Sequence, residues 1–200
     1  MKSTVRLAAR GAAGFGAGAL IIIALIVLET VLANANPSRE PSGVLFMAII
    51  AAFPLCGILG AGALTWKVAD SATTLRAMFG FAVGFFIAPW GMLFSLMSLQ
   101  ASAGPEYAWG AIAFGVSFAV GGGIGTAFLD WRLLPAGILG FAIPGAISGA
   151  VLFGGLGVLL VSNPDSSKAL AAVILVTAAL LPCVVGGAVL GAALARTRRE

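Results

Sequence analysis

Residues 12–33 read AAGFGAGALIIIALIVLETVLA, and within them only Glu29 carries a charge. A helix needs about 20 mainly apolar residues to cross the hydrocarbon layer of a bilayer. This stretch supplies them without a break.

The same reading, carried outward, finds five more such stretches: 43–66, 76–99, 107–129, 133–161 and 169–195. The joints are short and polar: NANPSREPS at 34–42, KVADSATTL at 67–75, residues 101–106, Asp130-Trp131-Arg132, and SNPDSSK at 162–168. None could hold a soluble domain, so residues 1–200 are read as a single transmembrane domain. Asp70 and Ser71 are the residue types that cap a helix N-terminus. The fold predicted is all-α: a polytopic membrane helix bundle of six transmembrane helices.

Composition agrees. Hydrophobic residues make up 60% of the chain and charged residues 9%, with a mean hydropathy of +1.11. A water-soluble domain carries roughly 25% charged residues, because its surface must be solvated. Here the excess apolar surface calls for lipid. The formal net charge of +4 is not a nucleic-acid signal, since the basic residues sit in short joints and not on a solvated face. No nucleic-acid partner is expected; the bilayer is.

Lys and Arg in short loops are retained on the cytoplasmic side. With the N-terminus inside, that side holds Lys2, Arg6, Arg10, Lys67, Arg76, Arg132, Arg196, Arg198 and Arg199, and the other holds only Arg39 and Lys168. Nine against two predicts both termini inside, which an even number of crossings satisfies. Trp66 and Trp131 at inner ends and Tyr107 and Trp109 at an outer end match an interfacial belt. The setting expected is a cell membrane of the bacterial inner-membrane type. One alternative treats residues 1–35 as a cleaved signal peptide, from the basic start and the Ala33-Asn34-Ala35 motif. Against it, the apolar run exceeds the usual 7–15-residue core of such peptides.

The chain has no histidine and two cysteines, Cys56 and Cys183. That leaves no zinc site, no histidine-ligated haem and no His-based relay; no metal and no cofactor is expected. The cysteines fall at similar depth in crossings that run the same way, which permits an embedded thiol pair.

Twenty-eight glycines would be costly in soluble helices, but small residues four apart let membrane helices approach closely. The pairs Gly14/Gly18, Gly80/Gly84, Gly121/Gly125, Gly145/Gly149 and Gly187/Gly191, with Cys56/Gly60 in the second stretch, predict a close bundle. A homo-oligomer, or contacts to other membrane subunits, is the other use such faces can have.

Pro54, Pro89, Pro144 and Pro182 lie near the middle of their stretches. Proline lacks an N–H and frees the carbonyl four residues earlier, here those of Ile50, Phe85, Gly140 and Ala178. The prolines occupy the second and third, then the fifth and sixth stretches. That pattern permits a 3+3 inverted repeat with a central transport site. A substrate pathway is drawn through Pro54, Pro89, Trp90, Pro144, Ser148 and Pro182. Glu29 is the one acidic group inside a stretch, about a turn from the outer end, where it can bind a cation or reach the headgroups. Trp90, with Phe79, Phe81, Phe85, Phe86 and Phe94, would line an aromatic pocket or face lipid. Ser95, Ser98, Ser117, Thr126, Ser148 and Thr177 would bond across helices or line a pore.

An enzyme needs a nucleophile, an acid–base pair or a metal site. Ser148 has no base placed to serve it, so no catalytic residue is assigned. The function expected is a small permease or channel for a neutral or amphipathic solute. The alternative is a non-catalytic structural or accessory subunit of a larger membrane complex.

Overall fold

Apolar segments of this length bury their backbone polar groups most simply by hydrogen bonding within themselves, and each apolar stretch lies in a helix. The computed structural model describes residues 2–36, 43–99, 106–162 and 167–198. Its helices are α1 (Lys2–Ala35), α2 (Gly43–Thr65), α3 (Ser71–Leu99), α4 (Glu106–Leu129), α5 (Leu134–Ser162) and α6 (Ser167–Thr197), with a short 3-10 turn at Trp131–Leu133. Five of them are long and apolar enough to cross a membrane; over its described residues α3 contributes a shorter apolar segment, Ser71–Ile87. The helical assignment runs unbroken through Pro54, Pro89, Pro144 and Pro182. At its N-terminus α1 begins ten residues before the apolar stretch that predicts it.

The joints are closed by specific groups. Asp70 caps α3: its carboxylate accepts from the Thr73 backbone N–H at 2.7 Å and from the Thr73 hydroxyl at 3.0 Å. The Thr73 N–H holds this carboxyl below its ordinary value. Beyond the last turn of α2, Lys67 takes a left-handed backbone with φ 59°, the turn in which glycine usually ends a helix. Arg10 of α1 reaches across and donates to the Trp66 carbonyl at 3.1 Å. Asp130 caps the 3-10 turn by accepting from the Arg132 N–H at 3.0 Å.

Each helix packs against its neighbours in sequence, and α6 returns to pack against α1. The six helices therefore close into a ring. The start of α1, the α2–α3 joint, the α4–α5 joint and the end of α6 share one end of it, as the approach of Gly191 to Leu7, of Arg10 to Trp66 and of Gly80 to Phe128 requires. Arg6, Arg10, Lys67, Arg76, Arg132 and Arg196 lie at that end.

The inside and outside of the ring differ in residue size. Leu20, Leu28, Phe79, Val116, Ile143 and Ile147 are exposed on the outside. So large an apolar exterior marks a surface made for lipid or partners, not water. Inside, four phenylalanines fill the axis: Phe15, Phe81, Phe85 and Phe141 are each 0–1% exposed. Phe15 lies 5.2 Å from Phe81 and 5.2 Å from Phe141, both edge-on, and 5.6 Å from Phe85. Rings this large fit only where the facing wall is thin. An added Cβ at Gly60 would strike the Phe15 ring, one at Gly125 the Phe81 ring, and one at Gly122 or Gly186 the Phe141 ring.

Candidate functional site

The described side chains enclose a cavity of about 180 Å³ beyond the phenylalanine cluster, on the side away from the basic end. Ile22 and Ile26 of α1 and Phe53 of α2 form one wall, and Phe118 of α4 and Leu152 of α5 form another. Helix α6 closes it with Ala178, Ala179 and Cys183. The lining is apolar apart from the Cys183 thiol. Phe118 stands edge-on to Phe85 at 6.2 Å, so the axial cluster forms the floor.

The proline positions relate to this cavity unequally. Pro182 is fully buried and adjoins Cys183; the carbonyl it leaves without a helical donor belongs to Ala178, which lines the cavity. Pro54 is half-buried and adjoins Phe53. Pro144 is buried, and an added Cβ on its neighbour Gly145 would lie 3.0 Å from Phe118. Pro89 is also buried, but no described residue of α3 lines the cavity; its link is Phe85, the residue whose carbonyl it frees. Trp90 points elsewhere: it is 49% exposed and packs edge-on against Phe86 at 6.3 Å on the outer face of α3. It takes no part in the interior.

Of the hydroxyls, Thr126 bonds back to the Gly122 and Gly123 carbonyls of its own helix at 2.7 and 3.0 Å, and Thr177 is exposed. Ser117 and Ser148 are buried. Ser148 Oγ has no hydrogen-bond partner among the described residues. The side chains of Phe94, Ser95 and Ser98 lie outside the described residues, as do Tyr107, Trp109, Arg39 and Lys168. Glu29 is half-buried, with its Oε2 shielded from the surface. It follows Ile22 by seven residues and Ile26 by three, so all three share one face of α1.

Two elements stand beyond the sequence-based pathway. One is the axial cluster, whose members on α1 and α5 were not connected to those on α3. The available signal was adjacency: Phe15 follows Gly14, Phe81 follows Gly80, and Phe141 follows Gly140. The other is the thiol pair. Cys56 Sγ and Cys183 Sγ lie 3.8 Å apart, and Cys56 Sγ also donates to the Phe15 carbonyl at 3.2 Å. No cluster of three or more metal-binding side chains occurs among the described residues.

Comparison with protein families, curated proteins and solved structures gives no match. The class is therefore defined by the fold alone: an apolar helical bundle compatible with an integral membrane protein.

Proposed function

We propose that the chain is a six-span membrane carrier for a small apolar or amphipathic solute, with both termini on the cytoplasmic face. One observation carries the reading: the cavity of about 180 Å³ between five helices, floored by packed rings. An interior chamber walled by several helices is what a carrier needs to hold its solute within the bilayer. A permanently open aqueous channel fits less well, because Phe15, Phe81, Phe85 and Phe141 occupy the axis.

Orientation rests on the shared basic end, which in this reading is the cytoplasmic end; α3 then supplies the sixth crossing. Residues 1–35 stay in place in this proposal, since α1 is one wall of the ring and brings Phe15 to its centre. The neighbour pattern of the ring is the one a 3+3 inverted repeat needs. An unrepeated up-and-down bundle shares it, and the proposal requires only the ring. Glu29 adds a carboxylate on the cavity-lining face of α1, which suits a solute with a hydrogen-bond donor or cationic end. No catalysis is assigned.

The second reading is a non-catalytic membrane subunit, favoured by the filled axis. Against it, the glycines at Gly11, Gly14, Gly84, Gly121, Gly149 and Gly187 approach helices of the same chain, which leaves the bundle self-contained. We infer that the spaced glycines serve this internal packing before any homo-oligomer.

The test is thermal unfolding of the purified protein with a panel of neutral and amphipathic molecules of up to about a dozen non-hydrogen atoms, repeated on Ala178→Phe, which fills the cavity. A ligand that binds only the folded state stabilises it by mass action. Stabilisation by some members of the panel, lost in Ala178→Phe, is the expected result. If no molecule raises the midpoint, or Ala178→Phe responds like the parent, the carrier reading fails. A protein that unfolds or aggregates when isolated, and is recovered with the same membrane partner by crosslinking, supports the subunit.

A further inference from the structure

Buried cysteines are ordinarily inert small hydrophobes. Cys56 and Cys183 differ in being together: they come from α2 and α6, which both flank α1, and their sulfurs are 3.8 Å apart. Their surroundings are unequal. Cys183 lines the apolar cavity, while Cys56 is 0% exposed and donates its S–H to the Phe15 carbonyl. Cys56 Sγ is also placed to donate toward Cys183 Sγ, so its proton lies between the Phe15 carbonyl and the second sulfur. The close approach depends on Gly18, where an added Cβ would run into the backbone of Cys56.

We propose that Cys56 and Cys183 are an oxidative modification site, in which an apolar hydroperoxide entering the cavity converts the pair to a disulfide joining α2 to α6. In the first step the Cys183 sulfur attacks the terminal peroxide oxygen. An S–O bond forms, the O–O bond breaks, and the thiol proton leaves with the departing alkoxide as an alcohol. Cys183 is then a sulfenic acid, oxidised by two electrons, and the peroxide is reduced by two. In the second step Cys56 sulfur attacks Cys183 sulfur: the S–S bond forms, the S–O bond breaks, and hydroxide leaves with the Cys56 proton as water. The thiolate is the nucleophile in such chemistry, and no cation or base approaches either sulfur among the described residues. The reaction is accordingly slow, and it registers sustained exposure to small alkyl hydroperoxides, not a transient pulse. The apolar lining selects an alkyl hydroperoxide over hydrogen peroxide.

The product is an α2–α6 staple beside α1, along one wall of the cavity. The inference stands whether or not the cavity carries a solute.

The experiment treats the full-length protein in liposomes with tert-butyl hydroperoxide, and separately with hydrogen peroxide at equal concentration. The readouts are peptide mapping, alkylation of free thiols after denaturation, and the thermal midpoint. The alkyl hydroperoxide should yield an intramolecular Cys56–Cys183 crosslink and a midpoint several degrees higher, reversed by a phosphine reductant, with a slower response to hydrogen peroxide. In Cys56→Ser, dimedone should trap a sulfenic acid at Cys183; in Cys183→Ser, Cys56 should remain a free thiol. Gly18→Ala keeps both thiols and should slow crosslinking at least several-fold. Both thiols remaining alkylatable after prolonged treatment, or only intermolecular crosslinks, overturns the site. Dimedone on Cys56 but not Cys183 overturns the assigned roles, and hydrogen peroxide acting as fast as the alkyl hydroperoxide overturns entry through the cavity.

Discussion

Phe15 and Phe141 meet edge-to-face at 5.2 Å across the axis of the ring, joining α1 to α5, which are not neighbours along its wall. Non-adjacent helices are thus held together by side chains alone. Phe15 also touches Phe81 and Phe85, so it is the shared member of the cluster. Removing a buried phenylalanine side chain typically costs about 3–5 kcal/mol, through lost transfer energy and the void left behind. Phe15→Ala should lower stability by about that amount. If the bundle survives, it should also leak small solutes from proteoliposomes. Unchanged unfolding and unchanged leak would show that the axis is not held by these rings.

Two glycines separate packing from backbone propensity. At Gly122 a new Cβ would crowd the Phe141 ring and the Gly137 carbonyl, whereas at Gly62 it would meet only the tip of Met78 at 3.9 Å. Overpacking costs about 1–3 kcal/mol, and an unhindered Gly-to-Ala change in a helix gains up to about 1 kcal/mol. Gly122→Ala should lower the thermal midpoint and Gly62→Ala should raise it. Equal shifts of one sign would contradict the geometry.

Lys67 holds a left-handed backbone at φ 59°, which costs a residue with a Cβ about 1–2 kcal/mol and glycine almost none. Part of that is returned through the greater freedom of glycine in the unfolded chain. Lys67→Gly should therefore stabilise by about 0.5–1 kcal/mol, measured by thermal or denaturant unfolding. A loss of stability would mean the Lys67 side chain matters more than its backbone.

The Asp70 cap sets a pH dependence. Its carboxyl is held below the ordinary value, chiefly by the Thr73 N–H. Its stabilisation is therefore fully present above the ordinary carboxylate pKa of about 3.9 and is lost as pH falls through the lower folded value. Asp70→Asn keeps a capping oxygen without the titration. The variant should show a weaker loss of α3 protection in hydrogen exchange as pH falls below about 3.9. An identical acid response would place the titrating group elsewhere.

Ser148 distinguishes structure from recognition. Its buried hydroxyl makes no hydrogen bond among the described residues, so Ser148→Ala should leave the ligand-free protein as stable or slightly more stable, as removal of an unsatisfied buried polar group does. Loss of the stabilisation given by an active panel molecule in the same variant would place Ser148 on the solute. Retention of that stabilisation would remove it from the pathway.

The helices were readable in advance because runs of twenty apolar residues between NANPSREPS and SNPDSSK leave the backbone few alternatives. Asp70 was readable because capping is local. What surrounds the axis was not, since it depends on which face of each helix turns inward. With helices apolar on all sides, no polar stripe marks the outside: Trp90 and Phe85 look alike along α3, yet one is 49% exposed and the other 1%. Residue size supplies the missing cue. A phenylalanine one step from a glycine on one helix faces a glycine on another, as Phe81 faces Gly125. Cys56 and Cys183 could be placed at one depth from sequence, but their contact depends on α6 closing against α1.

That closure orders the making of the protein. Gly11 and Gly187 meet backbone to backbone, so α1 leaves the ribosome long before the helix it packs against. Until then one flank of the nascent helix borders lipid or the insertion machinery. A chain stalled before residue 167 would carry an open arc with its phenylalanines uncovered, a natural target for quality-control proteolysis.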